Sequence, residues 1–358
     1  MNIAFNEQTA VEMKELPLLK RPLVLACRKS ALAKKQCEIV KSALESCYAP
    51  HPISIEIRTF QTQGDRNHTK GLGDFSTPGI FVKEIHQALL DHKADLGVHS
   101  LKDIPTTKQN GLMIRAVLKR TTPHDILITR TNPPALTALK NNFPSTKIIS
   151  STQINPPLTS TTKKSTRTTP VPHFTIGTAS LRRQLFLKKL FPTWTFEAIR
   201  GNIDTRLKKL AHGMYDGLVL SEAGLERLGL IGQEPFIYTT LPFQGIIPAP
   251  AQGTIAIEAR THDRSMQRIA KAINDHQTAL LVKIERQVMH YAGAGCQTPI
   301  GVYTKQQGRI LRIYGMIGNI AAARIKRMTL FATLDDPKTI NQATRKMGRH
   351  FKFFMKHH

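Results

Sequence analysis

Short apolar runs that end in polar residues alternate with segments of helical period over most of this chain, and no other feature constrains its fold as tightly. "RPLVLACR" (21–28), "ISIEIRTF" (53–60), "ADLGVHS" (94–100), "HDILITR" (124–130), "FTIGTAS" (174–180), "TWTFEAIRG" (193–201) and "GTIAIEARTH" (253–262) read as strands. Helices are predicted over 30–47, 81–92, 180–191, 202–213, 265–275 and 278–295, and "YDGLVLSEAGLERLG" (215–229) reads as a strand running into a helix. Thr77 and Pro78 predict the start of the helix at 81–92, as N-cap and first helical residue. Strands alternating with helices imply βαβ units and largely parallel sheets. In such sheets ligands sit beyond the carboxyl ends of the strands. His99, Ser100, Lys102 and Asp103 lie at one such end, Thr178 and Ser180 at another, and Arg200 at a third. One cleft between two α/β domains is the expectation.

The remaining segments differ. Residues 150–173, rich in Ser, Thr and Pro, cannot build a core and read as an exposed insertion. The tail has strand-like pieces at 309–318 and 324–334 and an amphipathic helix at 337–355. With 358 residues, two or three domains are expected, and 41% hydrophobic with 21% charged residues is an ordinary globular composition. No apolar run approaches a membrane span, and the first residues read as neither a signal nor a transit peptide, so the expected location is the cytoplasm. Cys27, Cys37 and Cys47 lie ten residues apart without a CxxC pair or a histidine at ligand spacing, so no metal is expected.

The net charge of +26, from 51 Lys+Arg against 25 Asp+Glu, calls for an anionic partner or a proteome-wide bias. Aromatic residues are only 6%, too sparse for a base-stacking platform, and no nucleic-acid-binding signature stands out. In "GTASLRR", Ser180 is an N-cap candidate, and Arg182 and Arg183 occupy a first turn where the helix dipole disfavours cations. An anion above them would explain that placement, although solvated surface arginines are the simpler reading of the motif alone. Arg28, Arg200, Arg206 and Arg227 recur at strand ends and helix starts, and guanidinium forks match carboxylates or phosphates. Cys296, in "AGAGCQTPIG", reads equally as a reactive loop thiol or as a structural cysteine in a tight turn.

Seven segments taken together resemble the porphobilinogen deaminase (hydroxymethylbilane synthase) family. They are "ACRKSALAKKQ", "FVKEIHQALLDHKADLGVHSLKDIPT", "TIGTASLRRQ", "RGNIDTRLKKL", "AGLERLGL", "IPAPAQGTIAIEAR" and "AGAGCQTPIG", in family order over residues 21–301, with 302–358 only loosely similar. The resemblance implies a transferase of haem biosynthesis that joins four porphobilinogen molecules head to tail into hydroxymethylbilane, releasing ammonia. It implies a dipyrromethane cofactor bound through a thioether, here at Cys296, and Asp103 as the catalytic carboxylate that stabilises the cation left when ammonia departs. Ser100 and Lys102 would orient Asp103 and contact substrate carboxylates. Arg28, Ser30, Ser180, Arg182, Arg183, Arg200, Arg206 and Arg227 would bind cofactor or substrate carboxylates, with Gln36 and Gln252 lining the cleft and Phe81 packing near the pyrroles. A basic cleft suits a chain that gains carboxylates with each ring. One departure is Pro78, which stands where the family loop usually carries a lysine; Lys70 lies further back.

The implied architecture is α/β: two periplasmic-binding-protein-like α/β domains with a third, smaller α+β domain. Domain 1 spans 20–118 plus 250–272, domain 2 spans 122–248, and domain 3 spans 276–358 and presents Cys296. The expected partner is the small-molecule substrate porphobilinogen, with no nucleic acid, no membrane and a monomeric chain. A non-catalytic two-lobed protein for an anionic small molecule is the alternative; it needs the arginines but neither Asp103 nor Cys296. A degenerate relative that binds nucleic acid is a third reading, and it predicts affinity that falls steeply with salt.

Overall fold

The computed structural model describes residues 21–49, 52–62, 79, 82–107, 109–130, 146–149, 174–295 and 297–357. Three sheets organise them. In the first, β1 (Leu23–Arg28), β2 (Ile55–Phe60), β3 (Leu96–Ser100), β4 (Leu112–Val117) and β11 (Ile255–Arg260) take the order β2-β1-β3-β11-β4. β1 is parallel to β2 and β3, whereas β11 runs antiparallel between β3 and β4. Helices α1 (Ala31–Cys47), α2 (Lys83–Leu90) and α6 (Arg264–Ala272) cover this sheet. Leu25, Cys37, Val40, Leu44, Leu96 and Ile257 are sealed in its core.

The second sheet contains β5 (Asp125–Thr129), β6 (Ile148–Ile149), β7 (Phe174–Gly177), β8 (Trp194–Glu197), β9 (Gly217–Ser221) and β10 (Ile237–Thr240), ordered β6-β10-β5-β9-β7-β8. Its helices are α3 (Leu181–Leu190), α4 (Ile203–Ala211) and α5 (Glu222–Arg227). β7 is parallel to β8 and β9, but β5 is antiparallel to both β9 and β10. Both sheets are therefore mixed, which corrects the expectation of largely parallel ones. The chain crosses between sheets before β5 and returns before β11, and a strand arriving from the other lobe can insert antiparallel without a crossover helix. An apolar run reports burial and carries no strand direction, and β4, β6, β10 and β12 were outside the predicted set.

The third sheet is an antiparallel meander of β12 (Ile300–Gln307), β13 (Ile310–Asn319) and β14 (Arg324–Thr333). Helices α7 (His276–Tyr291) and α8 (Pro337–His357) pack on it through Val288, Met347 and Phe351, against Val302, Leu311 and Ile313.

The two crossings run side by side. Leu118 N donates to Ile255 O (3.1 Å), and Leu241 N donates to Asp125 O (2.9 Å). Gly253 has φ +88° and approaches Thr122 so closely that a Cβ would lie 2.5 Å from its carbonyl oxygen. The fully buried Glu285 of α7 ties the third sheet to both crossings. Its carboxylate accepts from Arg120 (2.7 and 2.9 Å) in one crossing, from Ala251 N (2.7 Å) in the other, and from Thr304 N (2.9 Å) of β12. The predicted cap pair Thr77–Pro78 lies outside the described residues, as do Lys70 and 150–173, and α2 starts at Lys83 with Val82 as its N-cap.

Candidate active site

Asp103 sits where β3 ends. Ser100 closes the strand, and Leu101–Asp103 forms one turn of 3-10 helix that turns the chain before Pro105. The turn places the Asp103 side chain in a pocket whose walls include Arg28, Ser30, Gln36, His99 and Ser100. Among the described residues no hydrogen bond or ion pair engages its carboxylate. β1 delivers Arg28 to the same end of the sheet, and Ser30 caps α1, its Oγ accepting from Ala33 N (3.3 Å). One turn further along α1, the buried Gln36 donates from Nε2 to Ser100 Oγ (2.8 Å), which orients the serine beside Asp103.

Lys102 points the other way, toward the second lobe. Its ammonium donates to Gln252 Oε1 (3.4 Å). Burial, with Arg183 and Arg182 acting in the same sense against Asp103 and Asp125, pushes this lysine down to about 8. Gln252 is buried in the returning crossing, and its Nε2 donates to Pro123 O, His124 O and Asp125 Oδ1 (2.8, 3.2 and 3.0 Å).

The first-turn arginines of α3 have found an anion, and it belongs to the protein. Arg182 reaches Asp125 Oδ2 at 2.8 Å, and Arg183 donates to Asp125 Oδ1 at 2.7 and 3.0 Å. Arg182 also donates to Ile247 O and Arg183 to Val219 O (both 2.8 Å). Burial alone would raise the Asp125 carboxyl, but the two guanidiniums outweigh it and hold the group well below the usual carboxylate range. An anion does face these arginines, and in this structure it is Asp125. Asp125 stands at the start of a strand, a position with no sequence mark of its role. Ser180 caps α3, its Oγ accepting from Arg183 N (3.4 Å).

Arg206, in the first turn of α4, donates to Gly201 O (2.8 Å). Its pKa is pushed down to about 10, first by burial and then by Arg183 and Arg28. Arginines from β1, α3 and α4 therefore converge on one region, as the sequence pattern implied. Arg200 lies half-buried just before α4, and its carbonyl accepts from Lys209 (3.4 Å). Arg227 is turned to the crossings instead, donating to Gly253 O (2.6 Å) and Thr121 Oγ1 (3.3 Å), and burial pushes it down to about 10. Phe81 and Cys296 lie outside the described residues. Beside Cys296, Gly295 N donates to Thr298 Oγ1 (3.1 Å), and Thr298 N donates to Gly295 O (3.0 Å).

This site can bind and orient a flat, polycarboxylated ligand. Like-charged guanidiniums crowd around Arg206, and ligand carboxylates would relieve their repulsion. One carboxylate, Asp103, remains in the same cleft for a cationic or N–H-bearing group. The donor set fits a dipyrromethane, whose rings carry carboxylates outside and pyrrole N–H groups inside. Residues that sequence reasoning missed are Asp125, Arg120 and Glu285. Glu285 had a signal: it lies four residues after Leu281 and three before Val288, on the apolar face of its helix.

Comparison with known proteins identifies the family. Residues 23–268 match the family model "Porphobilinogen deaminase, dipyromethane cofactor binding domain", and residues 279–347 match "Porphobilinogen deaminase, C-terminal domain". The second match includes most of the tail that the sequence motifs related only loosely. Porphobilinogen deaminase from Coxiella burnetii (strain CbuG_Q212) is 35% identical over 90% of this chain and 92% of its own. The probable porphobilinogen deaminase of Methanocaldococcus jannaschii is 39% identical over 77% of this chain and 80% of its own. Among solved structures, the periplasmic VFT2 domain of Bordetella pertussis BvgS is 12% identical, covering 78% of this chain and 98% of that one, at a TM-score of 0.38. That likeness carries no argument, and the fold rests on the sheet topology.

Proposed function

The chain belongs to the porphobilinogen deaminase family, and on that premise we propose how its own residues carry the reaction. The enzyme is a transferase of tetrapyrrole synthesis that joins four porphobilinogen molecules into hydroxymethylbilane and releases ammonia, and residues 23–268 form its dipyrromethane cofactor-binding domain. The cofactor supplies the primer for the growing chain, and Cys296 is its attachment point in our reading.

Arg28, Arg206 and Lys102 bind ring carboxylates from three sides of the cleft. Ser30, Ser100, Ser180 and Arg200 add hydrogen bonds at the strand ends and helix starts. Gln36 and Gln252 act on Ser100 and Lys102. Arg182 and Arg183 act through Asp125, holding the α3 end of the cleft rigid and positive. Arg227 holds the two crossings together, so its role is positioning. Phe81 packs against the pyrroles.

Asp103 accepts a hydrogen bond from the substrate pyrrole N–H and stabilises the positive charge that appears as ammonia leaves. The observation that carries this reading is Asp103 in a pocket with Arg28, next to a crowd of arginines around Arg206. We assign domain 1 to 20–118 plus 250–272, domain 2 to 122–248 and domain 3 to 276–358, in a monomer of the cytoplasm that binds porphobilinogen and no nucleic acid. No helix among the described residues is long and apolar enough to cross a membrane.

Intact-mass analysis after incubation with porphobilinogen tests the assignment. The expected result is an added dipyrromethane that Cys296→Ser abolishes. Bare protein mass with no porphobilinogen consumed would favour the non-catalytic binding protein.

A further inference from the structure

Beneath the Asp103 pocket, three buried side chains from distant parts of the chain converge: His86 of α2, His99 of β3 and Glu258 of β11, exposed by 7%, 5% and 3%. His86 Nε2 lies 2.8 Å from Glu258 Oε2, and His99 Nε2 lies 3.1 Å from the same oxygen. The three donor atoms all lie within 4.8 Å of one another. The active-site roles proposed above use none of these residues.

Two observations separate this cluster from an ordinary hydrogen-bonded histidine pair. His99 Nε2 is fully enclosed yet makes no hydrogen bond. It lies against an oxygen that His86 already engages, so both imidazole nitrogens crowd one carboxylate oxygen. Further, Glu258 is a buried carboxylate whose ion-pair partners among the described residues are these same two imidazoles, so carboxylate and imidazoles form one closed polar cluster.

We propose that His86, His99 and Glu258 bind a divalent transition-metal ion of the zinc class. Imidazole nitrogen with carboxylate oxygen suits zinc, cobalt or iron, whereas calcium and magnesium prefer all-oxygen sites. Donor atoms about 2.1 Å from an ion at tetrahedral angles are about 3.4 Å apart. The separations of 2.8 and 3.1 Å would open by roughly 0.3–0.6 Å to admit the ion, and the third pair lies within 4.8 Å. The ion would staple α2 and the returning strand β11 to β3, the strand that carries Ser100 and leads to Asp103. Positions 86, 99 and 258 follow no ligand spacing, and the proposal departs from the expectation of no metal, which rested on cysteine and histidine spacing.

The full-length protein, stripped with a chelator, would be titrated with Co2+ and, separately, loaded with Zn2+. One tight equivalent is expected, with visible ligand-field bands. Zinc-edge X-ray absorption should show two imidazoles and oxygen without sulfur, and zinc should raise Tm by about 2 °C or more. His86→Gln and His99→Gln should each lose at least tenfold in Co2+ affinity. Absence of a tight equivalent, sulfur in the first coordination sphere, or unchanged affinity in a folded His86→Gln protein would overturn the site. Should a variant fail to fold, the absorption spectrum of the unaltered protein decides. None of these readouts depends on Cys296 loading or on turnover, so the site and the catalytic reading fail separately.

Discussion

Asp103 and Asp125 are both carboxylates at the cleft, one in each lobe, and the fold treats them oppositely. Asp125, 1% exposed, is gripped by Arg182, Arg183 and Gln252. Asp103 is half-buried in its pocket; no hydrogen bond or ion pair among the described residues engages it, and its charge is felt by Lys102. A carboxylate spent on its own protein stabilises the fold, whereas one left facing a cationic pocket remains for a ligand. The contrast also sorts the arginines: Arg182 and Arg183 meet Asp125, and Arg28 lines the pocket that holds Asp103.

The sharpest break of that contrast is Asp125→Ala. It strands two buried guanidiniums and should cost about 3–5 kcal/mol of stability, read by urea unfolding. A loss of activity at undiminished stability would mean that Asp125 serves the ligand. Asp103→Asn should show the reverse pattern. Turnover of porphobilinogen is expected to fall roughly 10²–10³-fold, with the unfolding midpoint essentially unmoved. Glu285→Gln removes charge from the node that joins both crossings to the third sheet and should cost about 1.5–3 kcal/mol. If it also changes KM, the crossings set the cleft opening.

Lys102 stands between the two carboxylates, and pH separates its effects. Its pKa falls from 10.5 in the unfolded chain to about 8 in the fold. The unfolded chain therefore holds this proton more tightly, and the contribution of Lys102 to stability rises from about pH 8 to about 10.5. Carboxylate binding should weaken over the start of that range, with KM for porphobilinogen rising roughly tenfold as the charge is lost. Lys102→Arg, which keeps its charge, should flatten this rise, and an unchanged profile would remove Lys102 from the binding set. The smallest expected effect is Ser180→Ala, about 1 kcal/mol from the lost N-cap. A larger change in KM than in stability would show that the hydroxyl also meets the ligand.

Much of the site was legible because the strand-end rule acts locally. A buried apolar run must stop where polar residues begin, so "GVHSLKD" and "GTASLRR" mark two polar strand ends. Arg28 and Ser100 end strands, and Ser30 and Asp103 follow them into the same pocket. The rule could not say which arginine would face ligand and which would face protein. The partner that Arg182 and Arg183 meet in the structure, Asp125, lies more than fifty residues away in sequence, where no local rule could find it. Arg227 is similar, and the structure turns it toward Thr121 and Gly253.

The sequence by itself determined the α/β alternation, the polar strand ends, the cationic character of the cleft and, through seven ordered motifs, the family. These depend on residue type and near-neighbour period, which a one-dimensional string records in full. Only the tertiary structure decided strand direction, the return of β11 between β3 and β4, the pairing of Asp125 with its arginines, the Glu285 node and the meeting of His86, His99 and Glu258. Each of those joins groups remote along the chain. Their cost or gain depends on burial and distance, which exist only once the chain has closed on itself.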